Sequence, residues 1–284
     1  MSLRIAALIT SFNRKSCTLR CVEHILAQNC SQVRTDIFLV DAGSSDGTVE
    51  EISEKYPSVN CMVAQGLYWA GGMREAWKKA AESGEYDFFW LLNDDTVIYP
   101  DALESLLSAR DEVLLQSGKE AICVGPVCDP DSGEQSYGGR KLCGGRRFKS
   151  VPVPPDGELK DCELGNANIM LVPRGIYESI GGLSPDYTHG IADYDYTLTA
   201  VEKGFGCVIA REFCGECIDD HGHNWLPQSE PLGRRIEYLY SPKGLACKEY
   251  LHFLSVHFPF EVVPAFLKLW AKTLFPIIWT RLKK

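Results

Sequence analysis

Three groups of side chains have types and spacings that could do chemistry. Asn93, Asp94 and Asp95 stand together directly after the apolar run of "DFFWLLN". Adjacent carboxylates repel and resist ionising together unless a cation offsets them. Hard oxygen donors of this kind suit Mg2+ or Mn2+, ions that bridge one or two carboxylates to phosphate oxygens. The plainer reading of the same residues is a polar loop in which Asp95 or Thr96 caps the next helix. Asp193 and Asp195 in "GIADYDYTL" form a second group. A carboxylate there can take a proton from a hydroxyl, or simply sit at a helix N-terminus, where exposed N–H groups favour acids. Cys214, Cys217, His221 and His223 form a third, a local four-ligand set resembling a zinc site with tighter spacing than common zinc modules.

These groups need elements to position them. "RIAALIT" (4–10), "DIFLVDAG" (36–43), "VNCMVAQ" (59–65) and "DFFWLLN" (87–93) read as short buried strands. Helical segments separate them. Ser16 is expected to cap one whose Leu19, Val22, Ile25 and Leu26 share a face. Val49 and Ile52 begin another. Gly71 and Gly72 precede a third, with Met73, Ala76, Trp77, Ala80 and Ala81 inward. Pro100 and Asp101 open a fourth, with Leu103, Leu106, Leu107, Val113 and Leu114. Such alternation predicts a mostly parallel sheet covered by helices, whose ligands bind beyond the carboxyl ends of the strands. The Asn93 cluster is at such an end.

After "AICVGPV" (121–127), residues 129–160 are rich in Gly, Pro and charge and read as a long loop or irregular hairpin, a candidate lid. Within it "GGRKLCGGRRF" offers Arg140, Arg146 and Arg147 to a diphosphate, or is a solvated loop. A strand at 166–173, helices at 174–183 and 193–205 and a strand at "CVIA" follow. From Tyr250 the chain is apolar and aromatic, broken by Pro259, Pro264 and Pro276. Lys268, Lys272, Arg281, Lys283 and Lys284 accompany Trp270 and Trp279. That composition suits either a membrane interface or a helix packed on the domain or on a second subunit.

The chain has 284 residues, 45% hydrophobic and 24% charged, enough for a large core. A net charge of -9 argues against a general nucleic-acid binder. No basic n-region precedes an apolar stretch, and no apolar run is long enough for a confident membrane span, so a cytoplasmic location is expected. The twelve cysteines are then reduced thiols. There is no Walker A sequence, no G-x-G-x-x-G after the first strand and no G-x-S-x-G elbow.

"LITSFNR", "LVDAGSSDGT", "GLYWAGGMREAW", "WLLNDDTVIYPDAL" and "GIADYDYTLTAVEKGF" occur in that order. Together they resemble glycosyltransferase family 2, enzymes of the GT-A fold, from about residue 4 to about residue 225. The branch with rhamnosyltransferases and galactofuranosyltransferases is the most similar. The resemblance implies an α/β GT-A-like domain over 1–240, with a nucleotide-binding part at 1–128 and an acceptor side at 160–240. A helical extension follows at 241–284.

It also implies roles. Thr10, Ser11, Asn13 and Arg14 would contact the nucleotide, and Asp41 its base or ribose. Trp69, Gly71 and Gly72 match the glycine-rich stretch where backbone passes close to the nucleotide. Arg74 stands where many members have Asn and could reach a phosphate. Asn93, Asp94 and Asp95 occupy the metal motif, with Asp95 the firmest ligand to Mg2+ or Mn2+. His221, then His223, would complete that site. Asp193 falls on the general base, preceded by Ala192 where Glu is usual.

The implied reaction moves a sugar from a UDP-, dTDP- or GDP-sugar to a hydroxyl of a glycan or lipid-linked glycan, with inversion, in cell-surface polysaccharide synthesis. A nucleotidyltransferase making a nucleotide-sugar, and a non-catalytic glycan or nucleotide binder, are the alternatives.

Overall fold

The computed structural model describes residues 2–30, 32–145, 147–218 and 229–277. The chain begins as alternating strands and helices: β1 (Leu3–Ser11), α1 (Lys15–Leu26), β2 (Val33–Asp41), α2 (Thr48–Lys55), β3 (Asn60–Val63), α3 (Trp69–Ser83) and β4 (Phe88–Asn93). β5 (Val97–Ile98), α4 (Ala102–Ser117), β6 (Ala121–Val124) and β7 (Val127–Cys128) follow. Short strands come next: β8 (Gln135–Tyr137), β9 (Gly139–Leu142), β10 (Ser150–Pro152), β11 (Lys160–Asp161) and β12 (Leu164–Gly165). Then come β13 (Ile169–Pro173), α5 (Arg174–Ile180), α6 (Ala192–Glu202), β14 (Gly206–Ile209) and β15 (Gly215–Glu216). Helices α7 (Leu232–Tyr240), α8 (Cys247–His257) and α9 (Val262–Leu274) close the described chain, with a 3-10 turn at Pro259–Glu261 before α9.

Eight strands form the central sheet in the order β11-β14-β6-β13-β4-β1-β2-β3. Neighbours β4, β1, β2 and β3 run parallel, as do β14 and β6, while β13 runs antiparallel between β4 and β6. The apolar runs are explained by burial on both faces. Along β1, Ala6 and Leu8 pack with α3, α6 and α8, whereas Ile5, Ala7 and Ile9 pack with α1, α2 and α4. Trp77 and Trp90 are buried one on each side. A fully buried side chain of this size contributes roughly 1.5–3 kcal/mol or more.

Several details depart from expectation. Ser16 lies inside α1, whose N-cap is Arg14, and Leu26 is exposed while Thr18 and Cys21 are buried. Chain tied to the end of β1 starts that helix two residues sooner than the capping preference of Ser suggests. α4 turns Ala102, Leu103, Leu106 and Ala109 inward, not Leu114. Of the two readings of 129–160, the described residues show the hairpin, β9 with β10, and not an open loop. β9 pairs with β10 and β12, and a Cβ on Gly139 would lie 2.2 Å from Ile209, so the strand lies directly on the sheet. Helix α8 and the turn after it share the main core: Phe253, Leu254 and Phe258 are buried in the cluster that includes Trp77 and Tyr196. Among the described residues no helix is long and apolar enough to cross a membrane.

Candidate active site

The strand register sets the site. Thr10 pairs with Asn93 across β1 and β4, and Ser11 pairs with Asp41 across β1 and β2. All four residues therefore stand at the carboxyl edge of the parallel strands, where ligands of open α/β sheets bind.

Asn13 adopts a left-handed φ of 51°, which Asn tolerates better than most residues. That turn lets the Asn13 N–H donate to Ser44 Oγ at 2.7 Å and its Oδ1 accept the Ser45 N–H at 2.8 Å. The loops after β1 and β2 are thus tied together. Asp41 is fully buried and accepts from the Gly43 and Ser44 N–H groups at 2.9 and 2.6 Å and from Ser44 Oγ at 2.5 Å. The structure commits Asp41 to shaping its own turn.

Gly72 has a packing reason. A Cβ there would lie 2.5 Å from Thr10 Cγ2 and 2.7 Å from its Oγ1, so α3 approaches β1 through a missing side chain. Gly71 is less tight, with a Cβ meeting Leu67 at 3.3 Å. Trp69 begins α3 half-buried against the core. Arg74 is engaged with a distant segment of the chain. Its Nη1 donates to the carbonyls of Ser184 and Tyr187 at 2.9 and 2.8 Å, fastening α3 to the segment that leads into α6.

The acidic cluster is organised by a residue just beyond the end of β1. Arg14 Nη2 lies 2.5 Å from Asp94 Oδ1, and Nη1 donates to Asp95 Oδ2. Asp94 is almost completely buried and also accepts from Thr18 Oγ1 at 3.2 Å. Burial pushes its carboxyl up to about 6, against the pull of Arg14. Burial would lower the Arg14 guanidinium, but the two carboxylates outweigh it and raise it. Asp95 Oδ1 and Asn93 Oδ1 are buried and accept no hydrogen bond among the described residues. Such orphaned oxygens are costly, and a hard divalent cation satisfies them. No group of three His, Cys, Asp or Glu among the described residues could hold a metal. These ligands fit a cation that takes the rest of its shell from a diphosphate and water.

Asp193 lies in the first turn of α6. Ile191 before it has φ 66°, a left-handed conformation that is a genuine outlier for a β-branched residue. Asp193 Oδ2 accepts from the Ala167 N–H at 3.2 Å and Asn166 Nδ2 at 3.4 Å, and Oδ1 from the Tyr194 N–H at 2.8 Å. Burial raises its pKa, with those donors opposing the rise. The direction suits a proton acceptor.

Segment 166–168 connects the two acidic groups. The Asn93 N–H donates to the Asn168 carbonyl at 3.1 Å, one residue from the Ala167 N–H that holds Asp193. Sequence reading missed Asn166 and Asn168. The only signal was two amides flanking Ala167 at the entry to a strand.

Asp195 faces elsewhere, accepting from Tyr187 Oη at 2.8 Å. Cys214 and Cys217 are buried in the apolar cluster under the sheet, and burial pushes the Cys214 thiol up to about 12. Their expected partners His221 and His223 lie outside the described residues, as do Arg146, Trp279, Arg281, Lys283 and Lys284. Arg140 is committed to its own hairpin, donating from Nε to Ser150 Oγ at 2.9 Å.

The chain is similar to several known proteins. Residues 6–135 match the model of glycosyl transferase family 2. A hyaluronan synthase from Streptococcus pyogenes is 34% identical over 119 residues, 39% of this chain. The chain spans 28% of the length of that relative. Among solved structures, a mannosyltransferase from Pyrobaculum calidifontis in complex with GDP-Man and Mn2+ has a TM-score of 0.55 at 13% identity, covering 98% of this chain and 72% of that one. TarS from S. aureus in complex with UDP-GlcNAc has a TM-score of 0.57 at 13% identity, covering 95% and 80%. The chain has the GT-A fold, and its residues 6–135 are similar to glycosyl transferase family 2.

Proposed function

We propose that the chain transfers a sugar from a nucleoside diphosphate donor to a hydroxyl of a glycan or lipid-linked glycan. The observation that carries this reading is the convergence of two acidic groups. Asn93 ends β4 with Asp94 and Asp95 directly after it, and one short segment, 166–168, joins that strand end to Asp193. A donor-side charge cluster beside a shielded carboxylate is what displacement at an anomeric carbon requires.

The donor would lie across the ends of β1 and β4, with residues 1–128 forming its side of the site and 160–240 the acceptor side. Asp95, with Asp94 and Asn93, would hold Mg2+ or Mn2+. When bound, that ion offsets charge on the departing diphosphate. Arg14 is placed to move from the carboxylates to phosphate oxygens once they arrive. Asp193 takes the proton of the acceptor hydroxyl, and attack from the side opposite the diphosphate inverts the anomeric carbon. The donor complexes of the mannosyltransferase and TarS support the donor class. The hyaluronan synthase relative supports a polysaccharide context. A deoxyhexose or galactofuranose as the transferred sugar rests on the sequence motifs.

A cytoplasmic enzyme whose C-terminal helices face a membrane or a second subunit completes the reading. The experiment is a screen of UDP-, dTDP- and GDP-sugars for turnover with and without Mn2+. Donor cleavage dependent on both a glycan acceptor and the ion is expected. Binding of nucleotide-sugars without any transfer would overturn it in favour of a non-catalytic binder.

A further inference from the structure

Helix α9 has two unlike faces. Ala265 and Thr273 are buried against the rest of the protein. Val263, Phe266, Leu267 and Leu274 are exposed, Val263 at 66% and Leu267 at 61%. With the half-buried Trp270 they recur at the i, i+3, i+4, i+7 spacing and its next turn, so they form one outward stripe. Single exposed apolar residues are ordinary, but a continuous stripe marks an interaction surface.

Charge selects the partner. Residues 262–284 contain Lys268, Lys272, Arg281, Lys283 and Lys284 and no Asp or Glu, in a chain whose net charge is -9. Lys268 is exposed on the same helix. A two-fold contact between copies through this face would bring like charges together. An anionic lipid surface meets both the apolar stripe and the basic flank. The 13 residues of α9 make a rod of roughly 20 Å at the α-helical rise. That is short of the ~30 Å hydrocarbon core, so the helix suits lying in the interface.

We infer that the outer face of α9 docks on an anionic phospholipid surface. Docking there is joined to the catalytic side of the domain. Arg235 of α7 donates to the Thr273 carbonyl at 2.7 Å, bracing the end of α9. α8 grips α6 and the segment leading into it: Thr188 Oγ1 donates to Glu249 at 2.5 Å and His252 lies 3.3 Å from Asp186, while His257 lies 3.0 Å from Asp195 of α6. A lipid-linked acceptor would thus meet the Asp193 helix at a fixed height above the surface. That purpose rests on the glycosyltransfer reading, whereas the docking is measured without any sugar donor, so either can fail alone.

The test is sedimentation of the full chain with vesicles of phosphatidylglycerol and phosphatidylcholine, or of phosphatidylcholine alone, beside its oligomeric state from light scattering. The chain is expected to sediment with the anionic vesicles and much less with the neutral ones. The double variant Phe266→Ser, Leu267→Ser, on exposed positions, should keep the far-UV spectrum and lose roughly tenfold or more in partitioning. Lys268→Glu should weaken only the preference for anionic vesicles. Equal sedimentation of the double variant, or no sedimentation of the unaltered chain, overturns the inference. A stable dimer that the double variant dissociates would overturn it too, by assigning the stripe to a second copy.

Discussion

His257 Nε2 lies 3.0 Å from Asp195 Oδ1, and Nδ1 of the same ring lies 3.0 Å from Glu202 Oε1. The ring is fully shielded from solvent. One histidine of α8 therefore meets both ends of the helix that begins with Ala192 and Asp193. Burial alone would lower its pKa, but the two carboxylates outweigh burial and raise it.

The sign of the pH dependence follows. A histidine whose folded pKa is raised contributes stability that is full below its unfolded value, about 6.5, and lost as pH rises through the folded one. His257→Gln should cost on the order of 2 kcal/mol at pH 6 and less at pH 9. Thermal melting of both proteins at the two pH values checks this, and an equal loss at both would refute the charged pairing.

Asp193→Asn should lower transfer by roughly 10²–10⁴-fold while nucleotide binding is kept. The amide retains the shape that Ala167 and Asn166 hold but takes no proton. Turnover and donor titration on one preparation separate the two effects. Undiminished transfer would remove Asp193 from the reaction.

The raised carboxyl of Asp94, at about 6, implies pH-dependent cation binding. Above that value the group is charged and attracts a cation; below it the proton competes. Folding carries the same sign. Protonated Asp94 favours the folded state at low pH, and that contribution is lost as pH rises through about 6. Mn2+ affinity, read by electron paramagnetic resonance of the free ion, should fall between pH 7.5 and pH 5. Asp94→Asn should flatten that profile, and Asp95→Ala should abolish metal-dependent nucleotide binding. Unchanged nucleotide binding in Asp95→Ala would count against the metal assignment.

Arg14 occupies the carboxylates that a cation would need. Arg14→Met should therefore tighten Mn2+ binding in the absence of nucleotide, by roughly tenfold, the equivalent of one charge-assisted hydrogen bond. The same variant should weaken binding of the nucleoside diphosphate, measured by calorimetry. Mn2+ affinity that is unchanged or weaker at pH 8 would show that Arg14 does not compete.

Gly72→Ala places a Cβ 2.5 Å from Thr10 Cγ2 within a central strand. Overpacking of this kind costs about 1–3 kcal/mol, seen as a lower midpoint in urea. Full stability would mean that α3 can shift off β1.

Legibility differed by residue. Residues 88–92 were recognisable as a doubly buried strand because such strands are apolar throughout. Asp94 and Asp95 were recognisable because adjacent acids at a strand end are costly without a purpose. The partners were not. Arg14 lies far from Asp94 along the chain and meets it only because β1 and β4 are neighbours in register. Asp41 reads as a contact for base or ribose, and the structure adds that its carboxylate also shapes its own turn. Arg74 reads as a candidate phosphate ligand, yet two carbonyls across the core claim it.

By itself the sequence determined the alternation of strands and helices, the acids that end them and the basic, apolar character of the last segment. Those properties are local: periodicity, burial preference and charge are set by each residue and its near neighbours. Tertiary structure alone decided which groups meet. It brought Arg14 onto Asp94, set segment 166–168 between Asn93 and Asp193, and seated His257 against Asp195. Such meetings depend on sheet order and helix packing, which bring together residues that the chain keeps far apart.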